Sequence, residues 1–185
     1  MAKSKQIKER FIPTNNDLSY YPLLFQALEE TKSGRVIEMG CGNGSTQLLH
    51  DYCLKYNREL WSYEEKEEWF KKFTHLSCEK HAVNYVADWD VVTNNHKKVS
   101  VIFIDHAPGE RREIDIVNFH SKADIIVCHD TEPAADHGYQ MRKHFKHFKY
   151  VIEVETTGAW ATAISNTIDI TKWNGLKFGN YTIGK

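Results

Sequence analysis

The sequence predicts an α/β fold: a seven-stranded, mostly parallel sheet ending in an antiparallel hairpin, with helices on both faces. Three observations carry that expectation. Short apolar runs alternate with longer amphipathic stretches along the chain. The two longest runs, VIFI (Val101–Ile104) and IIVC (Ile125–Cys128), are continuous rather than alternating, as strands buried on both faces should be. The last two runs are joined through only the short TTG of Thr156–Gly158, which suits a hairpin and is too short for a crossover.

In chain order, Asp17 and Ser19 supply a cap for a helix over Tyr21–Thr31, and Lys32-Ser33-Gly34 supplies its stop. Strand one is RVIEM, Arg35–Met39, followed by a helix over Ser45–Tyr56. ELWSYE (Glu59–Glu64) is strand two, Lys66–Cys78 a helix and AVNYVA (Ala82–Ala87) strand three. VSVIFID (Val99–Asp105) and ADIIVCHD (Ala123–Asp130) are strands four and five, with a helix over Glu110–Phe119 between them. A helix over Tyr139–Phe148 then leads to KYVIEVE (Lys149–Glu155) and AWATAIS (Ala159–Ser165), the hairpin. Ligands in such sheets bind beyond the C-terminal ends of the strands.

A length of 185 residues is most economically one domain, 1–185, with 1–33 as a helical cover. Only four prolines occur and none sits in a linker-like cluster. A net charge of −1 gives no global pull toward nucleic acid or anionic membrane, and the lysines of 143–149 read as a solvated helix face. Four irregularly spaced cysteines, without a C-x-x-C pair, speak against a disulfide framework and a structural zinc site. MAKSKQIKERF lacks the apolar core of a secretory signal, and no window approaches the roughly 18 apolar residues of a membrane span. A reducing cytoplasm is the expected compartment. Assembly state is not readable, and a homo-oligomer stays open.

Behind strand one lies VIEMGCGNGST, Val36–Thr46. Gly40, Gly42 and Gly44 let the backbone turn sharply and approach a ligand. Their G-x-G-x-G spacing departs from the G-x-G-x-x-G of dinucleotide binders. Glu38, two residues before the first glycine, would repel a pyrophosphate but suits a cationic or hydrogen-donating ligand.

The segment Glu38-Met39-Gly40-Cys41-Gly42-Asn43-Gly44-Ser45-Thr46 resembles motif I of the class I S-adenosylmethionine-dependent methyltransferases, which have a Rossmann-like fold. The resemblance implies that this loop cradles the methionine and ribose end of S-adenosylmethionine, with Glu38 supporting its amino group. Glu64, or Glu65 if the strand runs one residue longer, matches the acid that takes the ribose hydroxyls. Asp88 matches the acid at the adenine amino group, with Trp89 able to stack. Tyr20 and Tyr21 stand where a lid over the cofactor belongs.

The FIDH of Phe103–His106 is similar to the metal-binding point of the catechol-O-methyltransferase-like members (methyltransferase family 24), whose other ligands follow strand five. By that resemblance Asp105, His129 and Asp130 form a divalent-metal triad that polarises an acceptor hydroxyl. A histidine ligand favours a first-row metal softer than Mg²⁺. Pro108 stands where that family has its catalytic lysine. Without a metal, His106 or His129 can serve as base, with Asp130 orienting the imidazole or binding the acceptor. TEPAADHG (Thr131–Gly138), with His137 and Tyr139, is the candidate acceptor-side loop.

The expected activity is therefore methyl transfer from S-adenosylmethionine to a small-molecule acceptor, the hydroxyl oxygen resting on family analogy. Another reaction of the same cofactor (cleavage, or transfer of a different group) and a non-catalytic cofactor-binding module are the alternatives.

Overall fold

The computed structural model describes residues 8–12 and 18–184. Helix α1 is Tyr20–Thr31, strand β1 Val36–Met39, α2 Ser45–Lys55, β2 Leu60–Glu64, α3 Glu67–Phe73 and β3 His81–Tyr85. They are followed by α4 Asp90–Asn95, β4 Val99–Ile104, α5 Arg112–Phe119, β5 Ala123–His129, α6 Pro133–Tyr139 and α7 Arg142–Phe145. Strands β6 (Tyr150–Val154) and β7 (Ala161–Ser165) complete the main sheet, and β8 (Lys177–Phe178) pairs with β9 (Tyr181–Thr182) in a second small one.

The main sheet has seven strands in the order β3-β2-β1-β4-β5-β7-β6. The first five are parallel, and β7 runs antiparallel to both β5 and β6. Strand order reverses at β1 and β4, so the loops after these two strands open side by side. β4 lies at the centre with all six residues buried, which explains its unbroken apolar run. Its side chains alternate between two cores. Val101 and Phe103 face the layer holding α1 and α2, while Ile102 and Ile104 face the layer with α5 and α7. Each such side chain contributes about 1.5–3 kcal/mol of hydrophobic free energy.

The same alternation places Glu38 and Ser62 together. They are register partners on β1 and β2, on the face covered by α1 and α2.

Several element boundaries differ from expectation. The predicted helix over 66–78 ends as α3 and a 3-10 turn at Thr74–Leu76, and β3 starts one residue earlier and stops two earlier than predicted. TEPAADHG is not an open loop: Pro133, at the first turn, starts α6, because a proline there forfeits no helical hydrogen bond. The predicted 139–148 helix shrinks to α7, since Gln140 takes a left-handed conformation and ends α6 first. Helix α1 ends on Lys32 in the left-handed region, ahead of Gly34. The expected cap Asp17 lies outside the described residues, and Ser19 makes no side-chain cap bond. Among the described residues no helix is long and apolar enough to cross a membrane.

Candidate functional site

At the tip of β1 the chain turns through Gly40, whose φ is +96°. A Cβ there would lie 2.6 Å from the Asp105 carbonyl oxygen, so only glycine lets this loop pack against the one after β4. The Gly42 N–H donates to Thr46 Oγ1 at 2.9 Å and the Thr46 N–H returns to Gly42 O at 3.1 Å. Thr46 Oγ1 in turn donates to Glu38 Oε1 at 3.0 Å, and Ser62 Oγ donates to Glu38 Oε2 at 2.6 Å. Glu38 is completely buried, and burial raises its carboxyl to about 7 against the pull of the Ser45, Ser62 and Thr46 hydroxyls.

Glu64, at the tip of β2, accepts the Cys41 N–H at 2.9 Å and the Lys66 N–H at 2.8 Å, one on each oxygen. Each oxygen keeps a second lone pair for a ligand hydroxyl. Cys41 is buried, which pushes its thiol up, while Asn43 is exposed at the loop tip. Ser45 opens α2, whose first turn has no side-chain cap bond and whose Thr46 N–H is taken by Gly42 O. Tyr20 and Tyr21 lean across Gly44, and Tyr21 Oη donates to the Gly44 carbonyl at 3.1 Å. Along this loop the Glu64 carboxylate suits a ligand with neighbouring hydroxyls, such as a ribose.

Two expected cofactor residues sit differently. Asp88 is exposed and accepts the Asp90 N–H at 2.9 Å, in the turn that leads into α4. Trp89 packs one face on the His106 ring at 4.2 Å and donates its indole N–H to Ala107 O at 3.0 Å. That ring is only 4% exposed, so it holds the β4 loop rather than lying open to stack on a ligand.

The tips of β4 and β5 carry the second half of the site. Asp105 Oδ2 faces His129 Nδ1 at 3.3 Å, and Asp130 Oδ1 faces the same nitrogen at 3.5 Å. Asp130 sits at φ +54°, which swings its carboxylate back toward the imidazole. Burial pulls His129 down, but Asp105 and Asp130 more than offset it, so the imidazole is raised above its ordinary value. Its other nitrogen, Nε2, is buried without a hydrogen-bond partner. The ring edge meets Tyr20, with centroids 4.7 Å apart, so the β1 loop, the α1 tyrosines and His129 converge.

His106 does not join them. Its Nε2 pairs with Asp115 Oδ2 at 3.0 Å, both side chains fully buried, and Arg111 Nη2 closes on Asp115 Oδ1 at 3.1 Å. Of the two histidines that the sequence left open as base, His129 alone lies between the strand-tip acids.

Sequence reading missed Arg112. From the first turn of α5, its Nη2 pairs with Asp105 Oδ1 and its Nη1 with Asp130 Oδ2, both at 3.1 Å. Its Nε donates to His106 O at 2.7 Å and its guanidinium lies over the Tyr139 ring at 4.9 Å. The only signal was a pair of arginines shortly after the loop that follows β4, and nothing in their spacing singles out the second.

Arg112 alters the metal expectation. The donor atoms of Asp105, His129 and Asp130 lie within 4.8 Å of one another, enough in number for a divalent ion. A buried guanidinium already bridges both carboxylates. A dication about 5 Å from it meets repulsion of about 7 kcal/mol at an effective dielectric near 20. With Arg112 in place the cluster carries one net negative charge when His129 is neutral and none when it is protonated. Arg112 thus offsets one of the two carboxylate charges and occupies one oxygen of each, so a cation at this cluster competes with the guanidinium.

No known family profile matches the sequence, and no curated protein matches it. Solved structures do. A Klebsiella pneumoniae protein assigned as an O-methyltransferase superposes with a TM-score of 0.63 at 13% identity, over 88% of this chain and 89% of that one. The O-methyltransferase TomG of Streptomyces achromogenes, in complex with S-adenosylmethionine, gives 0.60 at 13% identity, over 89% and 88%. The O-methyltransferase of Bacillus cereus, in complex with S-adenosylhomocysteine, gives 0.60 at 11% identity, over 89% and 91%. Identities this low carry the fold and leave the residues to be argued from their own chemistry. The chain has the fold of the S-adenosylmethionine-dependent O-methyltransferases.

Proposed function

We propose that this chain transfers a methyl group from S-adenosylmethionine to the hydroxyl of a small molecule, with His129 as the base and no metal. The observation that carries the reading is the state of the His129 ring. Two carboxylates hold its Nδ1 side and its Nε2 is buried without a partner, beside the glycine loop. An imidazole whose Nδ1–H is fixed by acids presents a lone pair at Nε2, the arrangement a general base requires.

S-adenosylmethionine, when bound, supplies a methyl carbon already activated by its sulfonium. The protein has to align the acceptor with it and remove the acceptor's proton. Glu64 receives hydroxyls, and Glu38 with the Thr46 and Ser62 hydroxyls holds the loop. Tyr20 and Tyr21 cover Gly44 and keep water from the loop. His129 Nε2 takes the acceptor proton, and Asp105 and Asp130 stabilise the imidazolium that results. Arg112 holds both acids in place and offsets their charge. The weakly polar helix α6 and Tyr139, beside Arg112, supply the acceptor-side wall.

Calorimetry against S-adenosylmethionine, S-adenosylhomocysteine and NAD⁺ tests the cofactor. Binding of the first two and not the third is expected, and absence of the first two sinks the reading. Products formed from cofactor alone test the alternative suggested by Pro108: methylthioadenosine would point to cleavage rather than transfer. Methylation of a panel of small hydroxylated compounds should be unchanged by a chelator. Loss of activity that added metal restores would return Asp105, His129 and Asp130 to a metal role.

A further inference from the structure

Glu38 is sealed from solvent, yet it is joined to the surface by an unbroken line of side chains. Ser62 Oγ lies 2.6 Å from Glu38 Oε2, and His81 Nε2 lies 2.9 Å from Ser62 Oγ. His81 Nδ1 then meets His50 Nδ1 at 2.9 Å, and His50 is partly exposed on α2. We propose that His50, His81 and Ser62 form a proton wire through which solvent sets the charge of the Glu38 carboxyl.

Hydrogen-bond polarity makes the line more than a string of contacts. When Glu38 is ionised, Ser62 must donate to it, so Ser62 must accept from His81 Nε2–H. His81 then has a bare Nδ1, which accepts from His50 Nδ1–H. When Glu38 is protonated every link reverses: Glu38 donates to Ser62, Ser62 to His81 Nε2, and His81 Nδ1–H to His50 Nδ1. One proton taken up at His50 Nε2 interconverts the two states. His50 passes its Nδ1 proton to His81 Nδ1, His81 passes its Nε2 proton to Ser62 Oγ, and Ser62 passes its own to Glu38 Oε2. Both imidazoles end neutral in the opposite tautomer, and one proton has been added to Glu38.

The surroundings suit this traffic. Glu38 is acted on by the Ser45 and Thr46 hydroxyls of α2, by Ser62 of β2 and by Asp105 beyond β4. Tyr20 of α1, Cys41 of the loop and Cys53 of α2 also feel its charge. None of these is a cation that would hold Glu38 ionised, and Asp105 opposes its ionisation. Burial brings His81 down to about 4, with His50 adding to the fall, so it stays neutral while relaying. Burial also lowers His50, which faces Asp51 and His75.

The use of the wire rests on the reading above. A cationic cofactor at the loop favours the carboxylate and an empty loop favours the acid, so binding expels a proton along the wire. His50, His81 and Ser62 are then positioning residues that act through Glu38.

The test starts with the ligand-free protein. Histidine-selective ¹⁵N NMR should show His81 as the Nε2–H tautomer at pH 8.5 and shifting to Nδ1–H toward pH 6. In Glu38→Gln the tautomer should no longer change with pH. A His81 tautomer that stays constant over this range in the native chain overturns the proposal. His50→Phe, at a partly exposed site, should leave the Glu38 midpoint unchanged. After a pH jump it should slow the isotope-edited carboxyl band by about tenfold, equivalent to ~1.4 kcal/mol of barrier. An unchanged rate also overturns the wire. Exchange of tautomers in a protein that binds no S-adenosylmethionine keeps the wire and removes the methyl-transfer reading. Binding without exchange does the reverse.

Discussion

The acids at the tip of β1 and those at the tips of β4 and β5 are handled in opposite ways. Glu38 is fully buried among hydroxyls, with no guanidinium or ammonium of the described residues bonded to it, and burial raises its carboxyl to about 7. Asp105 and Asp130 keep about a quarter of their side-chain surface exposed, and each is tied to Arg112. Hydroxyls stabilise a carboxylate only modestly, so the Glu38 charge can come and go near neutral pH. Arg112 instead offsets their charge and holds their oxygens on either side of His129. One end of the site holds an acid among hydroxyls, the other a pair of acids tied to a guanidinium.

The largest expected effect breaks the His129 end. His129→Ala should lower turnover by about 10²–10⁴-fold while S-adenosylmethionine affinity, measured by calorimetry, changes little. Because the working base is the neutral imidazole and the acids raise it, activity should fall as pH drops through a value above 6.5. The same shift makes His129 stabilising, fully so below about pH 6.5 and progressively less as pH rises through its folded value. A pH-rate profile without that limb would remove His129 as the base.

Next comes the guanidinium. Arg112→Leu leaves two facing acids without their cation and should cost about 3 kcal/mol in urea unfolding, with Arg112→Lys recovering only part. A loss below ~1 kcal/mol would mean that the acids are screened by solvent rather than by Arg112.

An effect of at most similar size sharpens the Glu38 end. Glu38 binds its proton more tightly folded than unfolded, so its contribution is complete below about pH 4.5 and lost as pH rises through about 7. Measured against Glu38→Gln, the native chain should therefore lose up to about 3 kcal/mol between pH 4.5 and 8.5. A pH-independent difference would mean that Glu38 has one charge throughout and that the two ends do not differ.

Much of this was legible in the chain. The unbroken VIFI and IIVC runs could only be central strands, since both faces of β4 and β5 are covered. Glu38, Glu64, Asp105, His129 and Asp130 could be placed because each ends a strand, and strand ends are local in sequence. Helix α6 was harder to see, because polar TEPAADHG has no apolar stripe and none of its α6 residues is buried. Trp89 was expected at the ligand because its neighbours in sequence were, but its indole is decided by His106, 17 positions on.

The sequence by itself determined the strand order's parallel core, the glycine turn at Gly40 and which acids stand at the strand tips. These follow from periodicity, from missing Cβ atoms and from short-range connectivity. Only the tertiary structure decided what each acid meets. Arg112 reaches Asp105 and Asp130 from the start of α5, and His81 and His50 reach Glu38 from β3 and α2. A carboxylate's charge is set by neighbours within a few ångströms, and those neighbours come from distant parts of the chain.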